Sequence, residues 1–542
     1  MAHTTFRMSQ HEEKAAEPAL DPMAVDEKVP PEESDDSNLR RVPGSISWIL
    51  LLCCFLEFAE RFVWWGISAP LQNYIQRPYG NPSKPGALGG GQSLGVALGD
   101  FLKFWAYVST VWGAVIADRY LGKYKTILVA SPIYIAGLVI IIATATPAAI
   151  EGGHALGGLV TGMILVGFGT GLLKACIAPL CGEQGGDLST RKVTLKSGEV
   201  VIQDGKMTTA RIFMWYYWAG NLGALAQLMT VAIETRTSAF WTAWLLPLAL
   251  YLTALTIVVV LNKKIHRVAP KGSPIVEASK TAWVGLREGG LDKATPSSLQ
   301  ARDRLRIHTV TANEWYTDEY VGQVKEGLVA CKYFLLLPFF FVCYTQIFTN
   351  LVAQAGTMRL GGTPNDLMQS LEIIFMLTFI PILDLLIYPT LRKWNISFSA
   401  VNRIFCGFML MSISMTYACV LQHYIYSNPP ASIFVWIQAP AYIFSAIAEI
   451  FVVITGLEVA FIKAPDNLKV FVSSMFWVSL AVGSLIGIGL SPVSKDPNML
   501  WVYGALAITV FTSGLVFIYL FHGTTQDTIP DKELDVKDGL PA

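Results

Sequence analysis

A chain of 542 residues with 53% hydrophobic, 12% aromatic and only 15% charged residues is too apolar for ordinary soluble domains, and reads as a polytopic membrane protein. Its 40 basic and 40 acidic residues cancel, so no global field draws nucleic acid or an anionic partner. The eight cysteines lie in or beside apolar segments and outline no disulfide framework, and the seven histidines have no partner at ligand spacing; no metal and no cofactor are expected.

Residues 1–42 are polar and acidic, with no apolar core of a signal peptide, and are expected to form a disordered cytoplasmic tail. Hydropathy then predicts twelve spans, near 46–70, 97–117, 125–147, 155–178, 211–232, 239–262, 332–352, 370–391, 402–422, 432–460, 470–491 and 499–521. The first carries Glu57, Glu60 and Arg61 at i, i+3 and i+4, which places all three on one helical face. A charge near the middle of a membrane helix costs about 2.5–3.5 kcal/mol, so a trio there marks an aqueous pathway or a buried network. The spacing lets Glu57 pair with Arg61 and leaves Glu60 available. Burial opposes ionised carboxyls while Arg61 favours them, which makes their protonation sensitive to the surroundings and suits a proton-coupled machine.

The glycines from Gly86 to Gly95 read as a flexible outer connection before span two. Within span two, Asp100 is either a protonatable group or a helix cap. At its inner end Asp118 is expected to anchor a charge network with Arg119 and Lys123. The run Gly167, Gly169, Gly171 in span four has no preceding strand and no Gly-Lys-Ser/Thr, so close helix packing is expected rather than phosphate binding.

Residues 43–262 thus form one set of six spans and 331–521 another. Between them lies a basic, Pro/Ser-containing linker, 263–330, whose amphipathic stretch Trp315–Gly327 suits a membrane surface. Residues 522–542 form a second polar tail. Basic residues concentrate in loops that lie on one side if both termini are cytoplasmic, including Arg119, Lys123, Lys125, Arg191, Lys192, Lys263, Lys264, Arg267, Arg403 and Lys463. In that orientation the sequon Asn395-Ile396-Ser397 is cytoplasmic and unglycosylated. The expected fold class is an all-α membrane protein, twelve transmembrane helices in two six-helix bundles, the organisation of major-facilitator carriers.

The first-span run Glu57-Phe58-Ala59-Glu60-Arg61-Phe62 resembles the ExxER signature of the proton-dependent oligopeptide transporter (POT/PTR) family. Further along, Gly113-Ala114-Val115-Ile116-Ala117-Asp118-Arg119-Tyr120-Leu121-Gly122-Lys123 resembles its loop motif after span two. Gly169-Thr170-Gly171-Leu172-Leu173-Lys174 resembles GTGxxK, and Tyr216-Tyr217-Trp218-Ala219-Gly220-Asn221-Leu222-Gly223 resembles FYxxINxG. In the second half Cys343-Tyr344-Thr345-Gln346, Gln354-Ala355-Gly356, Pro364-Asn365-Asp366-Leu367 and Ala448-Glu449-Ile450-Phe451 are similar to the fungal branch. The ordered set spans about 450 residues.

The resemblance implies proton-coupled symport of di- or tripeptides by alternating access, without enzymatic activity, in a monomer of the plasma membrane. Glu57, Glu60, Arg61 and Lys174 would couple protons. Lys174 and Glu449 interrupt apolar runs in opposite halves, so a cavity between them can offer a cation and an anion to a zwitterion. The resemblance gives Arg61 and Lys174 the substrate carboxylate, Glu449 its amino terminus, and Asn221 and Asn350 its backbone, with Trp64, Trp65 and Tyr107 lining the pocket. Protonation of Glu57 or Glu60 would loosen their hold on Lys174 and Arg61.

Departures cluster in the pocket. Trp64-Trp65 stand where a tyrosine pair is usual, Ala175-Cys176 replace Pro-Asn, Gly220 replaces isoleucine, and Thr110 stands for a proline. Such changes leave room for another cargo: nitrate, an amino-acid conjugate or an exported peptide metabolite. A peptide sensor without flux is the reading from another class.

Overall fold

The computed structural model describes residues 39–522 apart from 45–46, 82–84, 186–190, 195–198, 271, 303–307, 309, 311–312 and 395–397. The sequon at Asn395 and nearly all of both tails lie outside the described residues.

The first half contains α1 (Trp48–Gln76), α2 (Gly91–Ile116), α3 (Lys123–Thr144), α4 (Ala155–Glu183), α5 (Gly205–Ala224), α6 (Ala226–Thr237) and α7 (Phe240–Val260). The longer helices of the linker follow, α8 (Pro274–Glu288) and α9 (Asp318–Cys331), with a short turn of helix at Pro296–Ala301 between them. The second half contains α10 (Leu337–Thr345), α11 (Asn350–Ala355), α12 (Ser370–Ile382), α13 (Ala400–Ser427), α14 (Ala439–Glu449), α15 (Thr455–Ile462), α16 (Lys469–Leu490) and α17 (Met499–Phe521). Taking α5 with α6, α10 with α11, and α14 with α15 as bent rods gives twelve among the described residues, six in each half.

Eight helical stretches are long and apolar enough to cross a membrane by length and composition, or nine if the bent pair Asp318–Phe334 and Leu337–Ala355 is one span. The remaining rods carry charges or breaks: α1 holds Glu57, Glu60 and Arg61, α2 holds Asp100 and Lys103, and the α5–α6 rod is interrupted at Leu225. Function thus costs these rods apolarity. Two separate cores result, one around Tyr134, Trp244 and Tyr251 and the other around Phe340, Phe408 and Phe476, one in each half.

Local chemistry sets the helix limits. Ser47 caps α1, accepting a hydrogen bond from the Ile49 amide at 3.2 Å, and Ser399 caps α13 in the same way from Asn402 at 3.3 Å. Glycines set the spacing of the first bundle. A Cβ on Gly113 would stand 2.6 Å from Leu172 Cα, and one on Gly171 would stand 2.4 Å from Ser109 Cβ, so α2 and α4 touch backbone to backbone. On the opposite face of α4, Gly169 meets Tyr134 of α3. The span-four glycine run is therefore a packing surface.

Several expectations need correction. The glycine connection before span two is tied down: the amides of Ala87 and Leu88 donate to Tyr74 O, Gly89 to Arg77 O and Gly90 to Ile75 O. Helix α2 begins at Gly91, so buried Asp100 sits nine residues inside it and cannot cap it. Asp118 does share a charge network with Lys123, which pairs with Glu183 of α4, but Arg119 lies over Tyr120 instead, 5.4 Å from its centroid. Strand β1 (Arg41–Val42), inside the stretch expected to be disordered, pairs with β3 (Val200–Gln203), which pairs antiparallel with β2 (Arg191–Thr194). Nothing in the hydropathy of the span-four to span-five loop distinguishes that small sheet from coil.

The linker packs on itself. Trp315 stacks edge-on against Tyr316 and Tyr320, and Tyr316 and Val321 bury with Val284, Ala294 and Leu299. The apolar face of the Trp315–Gly327 stretch is thus covered by protein.

At the face of the bundles remote from this linker, the halves are joined directly. Asn73 and Asn365 exchange amide hydrogen bonds of 3.0 and 2.9 Å, Arg77 donates to Asn365 at 2.9 Å, and Gln369 donates to Ala69 O at 2.9 Å. Gln92 of α2 reaches Asn350 of α11 at 2.9 Å. Glu234 and Asp366 face each other beside Arg77 in the same layer. The far face is closed.

Candidate functional site

The α1 trio forms one buried ion cluster. Arg61 Nε lies 3.2 Å from Glu57 Oε1, and Arg61 Nη2 pairs with Glu60, which is fully buried. The expectation that Glu60 stays free is therefore corrected, because the carboxylate one residue before Arg61 reaches the distal end of the guanidinium while Glu57, four residues before it, holds Nε. A guanidinium offers donors to both. The Tyr216 hydroxyl of α5 lies beside Glu57.

Glycine makes room for this cluster. A Cβ on Gly223 would stand 2.5 Å from Phe58 O and 2.8 Å from Arg61 Cβ, so α5 can approach α1 only without a side chain there. Gly220 lies over Arg61 and Glu57, 3.6 Å from the former by the same construction. Where the related motif has isoleucine, this chain leaves open volume beside the ion cluster.

Lys174, in contrast, is held by rings. Its Nζ lies 4.1 Å from the Tyr107 centroid, 5.4 Å from Trp64 and 5.9 Å from Trp477, and it makes no ion pair among the described residues. Glu60 and Glu57 act on Lys174 through space rather than by a direct ion pair, and the contacts around its ammonium are an aromatic cage. A cation over ring faces is attracted by their quadrupoles without a direct counter-ion. Trp64, 5% exposed, faces this cage, and Trp65 packs on Phe348 of the second half at 5.2 Å between centroids. Both indoles therefore point between the halves rather than to lipid.

On the second half's wall, the Tyr344 hydroxyl donates to Glu449 Oε1 at 3.1 Å. Glu449 ends α14, where a π-helical stretch, Ile450–Ile454, begins. Such bulges often re-aim side chains at functional positions. Tyr107 and Tyr217 of the first half face Glu449 across the gap. Cation and anion thus stand on opposite walls.

The structure does not bring the two asparagines to this space in equal measure. Asn221 donates to Tyr217 O of its own helix at 2.9 Å and stays partly exposed. Asn350 is fully buried; its carbonyl accepts from Gln92, and its amide donates to Gln346 and to Ser494 at 3.3 Å. Both of its amide hydrogens and its carbonyl are engaged in the far-face layer.

Sequence reasoning quoted Tyr216 and Tyr344 within motifs but gave them no site role, and it missed Trp477 and Glu372. The aromatics carry no signal that separates a cage from a core. Glu372 could have been found, since an acid followed by Ile373-Ile374-Phe375-Met376-Leu377 breaks an apolar run as Glu449 does. Its position two residues inside an expected span reads as interfacial.

Twelve rods in two halves, closed at one face around a central gap with charges of both signs, define a secondary carrier of the major-facilitator type. Residues 124–506 match the family model described as POT family. The chain belongs to the POT family of transporters, and it is a carrier, not an enzyme. It is 39% identical over 532 residues to the peptide transporter PTR_C of Candidozyma auris, covering 95% of this chain and 91% of that one. It is also 36% identical over 540 residues to the peptide transporter PTR2 of Saccharomyces cerevisiae, covering 96% and 87%. Among solved structures, an auto-inhibited POT family peptide transporter superposes with a TM-score of 0.70 at 19% identity, covering 90% of this chain and 98% of that one.

Proposed function

We propose that this protein is a proton-coupled symporter of di- and tripeptides or peptide-like molecules, with the halves rocking about the gap between Arg61 and Glu449. The observation that carries the reading is the opposition of a ring-caged Lys174 and an ion-clustered Arg61 on one wall to Glu449 on the other. A zwitterion bridges such walls with both of its ends satisfied. Relatives named as peptide transporters, aligned over more than nine-tenths of this chain, support the same cargo class.

Glu57 and Glu60 are the proposed proton carriers. Protonation removes the negative charge that Arg61 neutralises and frees the guanidinium for a substrate carboxylate, and it weakens the through-space hold of the same carboxyls on Lys174. Deprotonation of the carboxyl and release of the substrate on the other side then restore the ion cluster. The driving force is the proton gradient together with the membrane potential, worth about 2.3 kcal/mol per charge per 100 mV. Trp64, Trp65 and Tyr107 shape the pocket, Asn221 is available to a peptide backbone, and Asn350 serves the far-face layer. The working unit proposed is a monomer in the plasma membrane with both termini cytoplasmic, so that the closed face is the outer one.

The test is uptake into proteoliposomes under an imposed pH gradient, competed by dipeptides, tripeptides, free amino acids and nitrate. Competition by peptides alone, with accumulation that collapses with the gradient, is expected. Competition by nitrate alone replaces this cargo, and peptide binding without flux makes the protein a sensor.

A further inference from the structure

The second half buries a carboxyl that the mechanism above does not use. Glu372, on the first turn of α12, is 1% exposed, and its carboxyl lies within hydrogen-bonding reach of the Glu449 carboxyl on α14. Glu372 Oε1 and Glu449 Oε2 are both buried without a hydrogen-bond partner. The groups that face this pair are Tyr344 of α10, Tyr107 of α2 and Tyr217 of α5, all uncharged phenols. Among the described residues no Arg or Lys pairs with either acid. This is the reverse of the Glu57–Glu60–Arg61 cluster, where an arginine answers both carboxylates.

Two carboxylates in contact in a dry wall repel strongly, and neither can donate a hydrogen bond to the other when both are ionised. One added proton solves both problems, because the protonated acid then donates to its neighbour. A positively charged ammonium does the same from the gap, offering three donors. Proton and ammonium are thus alternative occupants of one place.

We propose that Glu372 is a second carboxyl of the amine subsite, and that Glu372 and Glu449 share one proton in the empty carrier and exchange it for the substrate's ammonium group. The inference rests on the peptide reading of the cavity and deepens it. On binding, the shared O–H bond breaks, its proton leaves to water through the open gap, and the ammonium's N–H groups donate to both carboxylates. A substrate with a free amine therefore displaces a proton on this wall that an N-acetylated one does not.

The experiment is calorimetric titration of the purified full chain in nanodiscs at about pH 6, where a peptide α-amine is charged, using dialanine and N-acetyl-dialanine. Measuring each in two buffers of different ionisation heat gives the protons released on binding. Their difference between the two ligands removes any protons tied to the carboxylate end. The native chain is expected to release about one proton more with dialanine, as two coupled acids holding one proton require. Glu372→Gln should abolish that difference while still binding N-acetyl-dialanine as the native chain does, and Glu372→Asp should restore most of it. An undiminished difference in Glu372→Gln, or no difference in the native chain, overturns the dyad while leaving peptide binding intact. A native chain that binds neither ligand overturns the peptide reading itself and this inference with it. The native measurement decides the matter even if the glutamine variant does not fold.

Discussion

At the scale of single residues, the first wall's chemistry separates into an ion cluster and an aromatic cage, and each makes its own prediction. Glu57→Gln and Glu60→Gln mimic a protonated carboxyl permanently. Either is expected to bring gradient-driven accumulation down to simple equilibration while sparing exchange of substrate across the membrane. Uptake and counterflow measured side by side check this, and full accumulation by both variants would remove their proton role. Arg61→Ala and Lys174→Ala act on the substrate's other end. Hydrogen bonds to charged groups are worth about 1.5–3 kcal/mol, so the preference for free-acid over amidated dipeptides should fall by one to two orders of magnitude. Trp64 and Trp65 fill volume with donors only. The double change to tyrosine should shorten the reach over Lys174 and raise uptake of small polar dipeptides relative to aromatic ones. An unchanged ranking in a competition panel would assign the indoles to packing alone.

At the scale of elements, the gap can exist because glycines let its walls stand close elsewhere. Helix α4 meets α2 through Gly171 and Gly113, where the nearest neighbours of an added Cβ include backbone atoms that cannot swing aside. Gly171→Val is expected to lower stability by about 1–3 kcal/mol, the usual cost of overpacking, or to prevent assembly. Gly157→Ala on the same helix meets nothing within 4 Å and should leave the unfolding temperature unchanged or raised. Thermal unfolding followed by intrinsic fluorescence distinguishes the two. The twelve rods were legible from hydropathy to within several residues, since an apolar run long enough to cross is a one-dimensional property. The ordered Gly86–Gly95 connection and the β1–β3–β2 sheet were not. Their order comes from backbone hydrogen bonds to distant segments, which a local window does not contain.

At the scale of the whole molecule, the closed far face is a latch between halves. Its centre is the reciprocal amide pair of Asn73 and Asn365, buttressed by Arg77. Asn365→Ala removes three inter-half hydrogen bonds, two with Asn73 and one from Arg77, and strands their partners. It should shift the carrier toward a state open at this face, because each stranded group costs about 1–3 kcal/mol only while the latch is shut. Spin labels at Tyr79 and Asn428, both exposed near that face, should gain a longer distance component in the variant. A distribution identical to the native one would mean that other contacts hold the face closed.

The sequence by itself determined the class of this protein and its family. Twelve apolar runs, charges that have no business inside them, and motifs in a fixed order are all readable without coordinates, because each is a property of neighbours along the chain. It also named Glu57, Glu60, Arg61, Lys174 and Glu449 as the charged positions of interest, since a membrane penalises such residues wherever they fall. What only the tertiary structure decided is who partners whom. Glu60 proved to share Arg61, Lys174 to sit among rings from three helices, Asn350 to be spent in the latch, and Glu372 to face Glu449 without a cation. Each of these depends on groups tens to hundreds of residues apart brought within a few ångströms. The strength and sign of an electrostatic interaction are set by that separation and by the medium between, and neither is written in the local sequence.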